Sequence, residues 1–167
     1  VYTALFKRGP STRLTELFFE WLGIDNRDDL CQAVAMQIYQ DAPDAYRHVS
    51  QLLHQAAAEG DAVARSILTE CGRDYALSIQ CVAESLALAS PVDVVLVGSQ
   101  FTRCESPCAI DALCENLKAS GDYRIHVISA APVVGALFWA MEKAGVAPKD
   151  KSALKARLHD LRGGVIH

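Results

Sequence analysis

The sequence has no GxGxxG and no GxxxxGK[ST], which removes the usual dinucleotide and P-loop readings. Its ten glycines are scattered: only Gly163 and Gly164 adjoin, and no two lie two apart. A phosphate-cradling loop needs clustered glycines so that backbone N–H groups can approach the anion, and no such loop is supplied. No run of about eighteen apolar residues occurs, so no bilayer span is expected. Positive charge is not in excess either: 16 Lys and Arg stand against 20 Asp and Glu, a net charge of −4. That balance argues against a nucleic-acid-coating protein and against a polybasic membrane binder. No charged-then-apolar leader precedes the first helix-like pattern, so a cytoplasmic protein without a secretory signal is expected. A start at Val1 without Met is also what an excised fragment shows.

What is present is a long apolar pattern. Of the 167 residues 51% are hydrophobic and 22% charged, which suits one ordinary domain with a real core. Such a chain needs no disulfide framework. Its six cysteines, at 31, 71, 81, 104, 108 and 114, are expected to be reduced, mostly small core residues.

The pattern changes character once, near residue 90. Before it, four helices are expected. Pro10 and Thr12 open the first, which carries Leu14, Leu17, Phe18, Trp21 and Leu22 and closes at Gly23. Asp25, Asp28 and Asp29 begin a second, which Ala42-Pro43-Asp44 breaks to start a third ending at Gly60. Asp61 is a good N-cap for the longest, 62 to 89, with an apolar face of Val63, Ile67, Leu68, Cys71, Tyr75, Ile79, Val82 and Leu86. After Ser90-Pro91 the order becomes strand, helix, strand, helix. Val92 to Val97 reads as a strand buried on both faces, and Tyr123 to Ile128 as a second strand. A helix-length crossover between them implies parallel strands. Two strands make a poor sheet, so either Val1 to Phe6 adds one or strands lie upstream. The expected organisation is one α/β domain over 1–147, helical over 10–89 and mixed over 91–145, followed by an amphipathic helix or tail at 148–167.

Two places could carry a ligand. The first is the strand end Val97-Gly98-Ser99, because ligands of parallel sheets bind beyond the carboxyl ends of strands. A glycine there lets backbone lie against a flat ligand; the alternative is a plain strand-to-loop turn. In the second, Gly135 and Ala136 one turn into the last helix remove bulk, either for a ligand or for close helix packing. Cys104, Cys108 and Cys114 invite a metal, but zinc prefers paired CxxC-like spacing, so structural thiols are the preferred reading. His48 and His54 sit six apart and share no face at ligand spacing, and no Ser-His-Asp or Cys-His set can be assembled.

Taken in order, these segments resemble the family of N-acetylglucosamine kinases and BadF/BadG/BcrA/BcrD-type ATPases, within the actin-like sugar kinase superfamily. Arg8-Gly9-Pro10-Ser11-Thr12-Arg13-Leu14-Thr15 and Ala56-Ala57-Ala58-Glu59-Gly60-Asp61 are similar to stretches of that family. Val94-Val95-Leu96-Val97-Gly98-Ser99 resembles its adenosine motif, and Pro132-Val133-Val134-Gly135-Ala136-Leu137 its second connecting motif. The resemblance covers about residues 7 to 145 and implies a helix-rich ribonuclease-H-like lobe with an N-terminal helical insertion and a small parallel sheet. It further implies ATP or ADP with Mg2+ as cofactor and an amino sugar as substrate. Gly98 and Ser99 would lie beside adenine and ribose, Gly135 and Ala136 at a hinge between lobes, and Ala57 at the border of the adenosine pocket.

Both phosphate motifs of the family and its catalytic carboxylate are absent, so the chain by itself is expected not to turn over ATP. Cys104 and Cys108 follow the adenosine-like motif, whereas the iron–sulfur ligands of BadF-type activators lie elsewhere, so the resemblance does not extend to a cluster. Two other readings are a free-standing non-catalytic protein that binds a nucleotide or a protein, and a metal or redox module built on Cys104, Cys108 and Cys114. A half-fold should cover its exposed sheet edge by self-association, so a homodimer is expected.

Overall fold

The computed structural model describes residues 1–102, 105–128 and 132–146. The chain divides into two units, Val1–His126 and Val127–His167. The expected tail at 148–167 and Cys104 lie outside the described residues.

The first unit begins with a short helix, α1 (Tyr2–Leu5), where the sequence left room for a third strand. Helix α2 (Leu14–Leu22) buries Leu14 and Leu17 and ends on Gly23 in the left-handed conformation, as its spacing predicts. A 3-10 turn (Arg27–Asp29) leads into α3 (Leu30–Ala58). The expected break in this helix is a kink at Asp41 (φ −155°, ψ 89°), whose carboxylate accepts the Asp44 N–H at 3.1 Å. Pro43, one residue before Asp44, falls in the first turn after the kink, where a missing N–H costs nothing. Helix α4 (Ala62–Ser85) is capped by Asp61, whose side chain accepts the Ala64 N–H at 2.7 Å.

Strand β1 (Val92–Val97), a short helix α5 (Ser99–Thr102), helix α6 (Cys108–Ser120) and strand β2 (Tyr123–Ile128) follow. Among the described residues the sheet is β1 and β2 alone, running parallel, so the chain is a helix-rich α/β protein. In the second unit, helix α7 (Pro132–Lys143) starts at the expected proline.

Two cores share α4 and α6. Leu14 and Leu17 meet Leu52, Ala56 and Ala57 of α3, Ala64 and Leu68 of α4 and Ala109 of α6 in the first. The second joins Ala76 to Leu113 and Leu117 beneath Val94 and Leu96. What lets one helix pair serve both is Gly72. A Cβ built there would stand 2.2 Å from the Ala109 carbonyl oxygen and 2.9 Å from the Ala112 Cβ. The two helices therefore touch backbone to backbone.

Three expectations change. The buried side of α4 is Ala64, Leu68, Gly72, Ala76 and Ala83, a row of mostly small residues. The larger Ile67, Tyr75, Val82 and Leu86 stay half-exposed beside it. Size decided this: a close crossing selects small side chains over apolar ones. Strand β1 is buried on one face only, since Val94 and Leu96 face the helices while Val95 and Val97 are 53% and 48% exposed. No described cysteine is buried: Cys31 and Cys81 are exposed, and Cys71, Cys108 and Cys114 are half-buried.

Candidate functional site

The end of β1 is built by its sequence. A β-branched strand runs into Gly98, whose φ of +113° is a conformation that side-chain-bearing residues rarely adopt. Its carbonyl accepts the Phe101 N–H at 3.1 Å and the Thr102 hydroxyl at 3.0 Å, turning the chain into α5. Nothing lies within 4 Å of where a Cβ would stand. Gly98 thus presents bare backbone at the carboxyl end of a parallel strand, where ligands of such sheets bind. Phe101 packs edge-on against Tyr75 of α4, with ring centroids 5.7 Å apart, beside this turn. Ser99 is the first residue of α5.

A second cluster centres on Asp61 and joins segments that lie far apart in sequence. Its Oδ1 accepts the Thr12 hydroxyl at 2.9 Å as well as the Ala64 N–H, and its Oδ2 accepts the Arg13 N–H at 2.8 Å. The Asp61 N–H itself donates to the Ala56 carbonyl at 2.9 Å, closing α3. One residue therefore ends α3, begins α4 and holds the start of α2. Burial pushes the Asp61 carboxyl up, but the N–H groups of Ala64 and Arg13, the Thr12 hydroxyl and the Val63 N–H outweigh it. The result lies below the usual carboxylate range. Around this cluster Arg13 forms ion pairs with Glu59 (3.0 Å), Glu16 (3.6 Å) and Glu20 (3.7 Å), all exposed enough to contribute little.

Ala57, expected at a pocket border, is 1% exposed and sits in the first core. Its carbonyl accepts Arg65 Nε at 2.9 Å and the Gly60 N–H at 3.1 Å. Its methyl group faces the protein, so its part at any neighbouring site is to position the α3–α4 turn. About 20 Å of helix separates Asp61 from Tyr75 along α4. A ligand touching both Gly98 and the start of α4 has to run along that length. Gly135 and Ala136 belong to the second unit, on an exposed part of α7, and a Cβ at Gly135 meets nothing within 4 Å. Close packing at Gly135 is therefore not seen among the described residues.

Two groupings escape sequence reasoning. His54 and Ser106 are buried together where α3 meets the segment before α6. Burial lowers the His54 pKa below the ordinary imidazole value, opposed by a hydrogen bond with the Ser106 backbone and by the charge of Glu105. Ser106 Oγ also accepts the Cys108 N–H at 3.5 Å. On the outer face of the sheet, Asp93 accepts Arg124 Nη2 and pairs with His126 Nε2, both at 2.9 Å. The bond to His126 outweighs the cost of desolvation and, together with the charge of Arg124, holds the Asp93 carboxyl below its usual value. A lone Asp in an apolar strand, facing a strand with Arg and His two apart, was the available signal. Among the described residues no group of three or more His, Cys, Asp or Glu could hold a metal ion, and no helix is long and apolar enough to cross a membrane.

No protein-family model matches the chain, and neither any curated protein nor any solved structure matches it.

Proposed function

We propose that the chain is the adenosine-side portion of a ribonuclease-H-like, ATP-dependent kinase or ATPase acting on an amino sugar, and that it binds ADP or ATP with Mg2+ at the end of β1. The observation that carries this reading is Gly98, a glycine with bare backbone at the carboxyl end of a parallel strand. Support comes also from the Asp61 cluster. It joins Thr12 and Arg13 of one family-like segment to Asp61 of another, and so ties two of the resembling segments into one unit. The purine would lie against the Gly98–Ser99 turn, with Tyr75 and Phe101 nearby. Ala57 would hold the α3–α4 turn, and Gly135 with Ala136 would serve the hinge. With neither phosphate motif in the sequence, binding is expected without turnover. The cytoplasm, where nucleotides are abundant and thiols stay reduced, is the compartment that suits this reading.

Calorimetric titration with Mg-ADP tests the reading. Saturable binding with no release of phosphate from ATP is expected, and absence of any heat at millimolar ADP contradicts it. A non-catalytic protein that binds another protein is the second reading. It is favoured by the half-exposed Val95 and Val97 on the outer face of β1.

A further inference from the structure

We infer that Tyr75 stacks on the base at the nucleotide site, so that the site selects purine over pyrimidine nucleotides by ring area while treating adenine and guanine nearly alike. The inference rests on the reading of the β1 end as a nucleotide site, and it names the class of base taken there.

Tyr75 owes its place to the helix crossing. Gly72 and Ala76 occupy the buried side of α4, where backbone contact with α6 leaves no room for a ring. Tyr75, one residue before Ala76, falls beside that row and stays 40% exposed. Its ring leans on Phe101, with centroids 5.7 Å apart and planes inclined at 62°. An edge contact of this kind uses at most one face of a ring, so Tyr75 keeps a face for a flat ligand. Phe101 in turn packs against the second core, which anchors the pair.

Phe101 also ties the pair to the strand end. Its N–H donates to the Gly98 carbonyl at 3.1 Å while its ring meets Tyr75, so one residue touches both parts of the site. The positive φ of Gly98, with nothing within 4 Å of where a Cβ would stand, leaves backbone there for the ligand to lie against.

Selectivity follows from the hydrogen-bonding groups that these residues offer. The Gly98 carbonyl accepts the Thr102 hydroxyl at 3.0 Å as well as the Phe101 N–H, which fills its two lone pairs. It therefore has none left for the exocyclic amino group of adenine. The Phe101 side chain has no polar atom. A tyrosine hydroxyl both donates and accepts, so that of Tyr75 pairs with the adenine amino group or the guanine carbonyl alike. What the pair does offer is π surface, which every base can use and a two-ring base uses more.

The test is calorimetric titration of the full 167-residue chain with the magnesium salts of ADP, GDP and CDP. ADP and GDP should bind within about threefold of each other and CDP about threefold or more weaker, because stacking tolerates either purine and rewards ring area. Tyr75→Leu should weaken ADP about tenfold and bring ADP and CDP together, whereas Tyr75→Phe keeps the ring and should stay within about twofold of the unaltered chain. Tyr75 lies outside the buried row of α4, so both variants should keep the parent far-ultraviolet spectrum. Should Tyr75→Leu fail to fold, proton spectra of the unaltered chain decide the matter. The Tyr75 ring protons should then move upfield on saturation with ADP and show Overhauser contacts to the base protons. Saturable ADP binding that shifts the Gly98 amide, with affinity unchanged in Tyr75→Leu or with no contact between ring and base, overturns the stacking and leaves the nucleotide reading standing. A GDP affinity about tenfold or more below that of ADP overturns the selectivity, since stacking alone does not separate two purines that far. No saturable binding by any of the three overturns both readings.

Discussion

Gly72→Ala is the most informative single substitution in this fold. In an exposed helix interior the change stabilises by about 1 kcal/mol, because alanine loses less backbone entropy on folding. Here the added methyl would sit 2.2 Å from the Ala109 carbonyl oxygen and 3.0 Å from its carbonyl carbon, which are backbone atoms with no rotamer to escape into. Relief requires α4 and α6 to part by about 1 Å. At that gap a dispersion contact forfeits roughly a quarter to a half of its well depth. The residues that lose contact are the fully buried ones, Leu68 of the first core and Leu113 and Leu117 of the second. Overpacking of this kind costs about 1–3 kcal/mol in a well-packed core, and here it strikes two cores through one crossing. With about 1–3 kcal/mol in each of two cores, less the gain of about 1 kcal/mol in helix propensity, the expected net loss is about 1–5 kcal/mol. Urea unfolding measures it as a lower midpoint at unchanged slope. Gly135→Ala is the internal comparison: with nothing within 4 Å, the same methyl should be neutral or stabilise by up to about 1 kcal/mol. Equal midpoints for Gly72→Ala and the unaltered chain would refute the backbone contact between α4 and α6.

Two further perturbations read other parts of the structure. Asp61→Ala removes the N-cap of α4, the acceptor that anchors the Arg13 N–H at the start of α2, and the acceptor of the buried Thr12 hydroxyl, so a loss of about 2–4 kcal/mol is expected in the same assay. The folded pKa of Asp61 lies below its unfolded value. Its stabilisation is therefore full above the unfolded pKa near 3.8 and lost as pH falls through the folded pKa, and Asp61→Asn should lack that part of the acid dependence. His54 behaves in the same sense nearer neutrality, since burial lowers its pKa from 6.5: folding then favours the neutral ring. Its contribution is complete above the unfolded value and declines as pH drops from there through the folded pKa. Urea midpoints should therefore fall more between about pH 7.5 and 5.5 than those of His54→Gln, and parallel pH profiles would contradict it.

The elements were legible where local chemistry decides them. Gly23 and Asp61 fixed helix ends, because a left-handed cap and a carboxylate cap act within a few residues. The two strands followed from their β-branched runs. The end of α4 was misjudged because Ala87, not glycine, holds the positive φ of 48° that stops it, with Leu88 N–H closing on the Ala83 carbonyl. Periodicity placed Leu68 and Ile79 correctly but rotated the rest of the buried face of α4, since hydropathy ranks Tyr75 and Leu86 above Gly72 and Ala76, whereas a backbone crossing ranks by size. The outer face of β1 was expected to be covered because the strand is apolar on both sides, yet a face is covered only when an element is available to cover it.

At the candidate site, sequence marked Gly98 as a turn, and its positive φ and bare surroundings are conformational facts that composition does not hold. The bonds of Thr12 and Arg13 to Asp61 span 49 and 48 residues, beyond the reach of any local pattern. Burial of His54 likewise depends on Ser106, which α4 and the sheet bring back to α3 only after the chain has folded.

Residue-resolved amide spectra during titration with Mg-ADP test the central claim most directly. The account predicts saturable shifts at Gly98, Phe101, Thr102 and Tyr75, with Asp93 and Arg124 on the outer sheet face unmoved. Saturable shifts confined to other residues, or none at millimolar ADP, would contradict a nucleotide site at the end of β1.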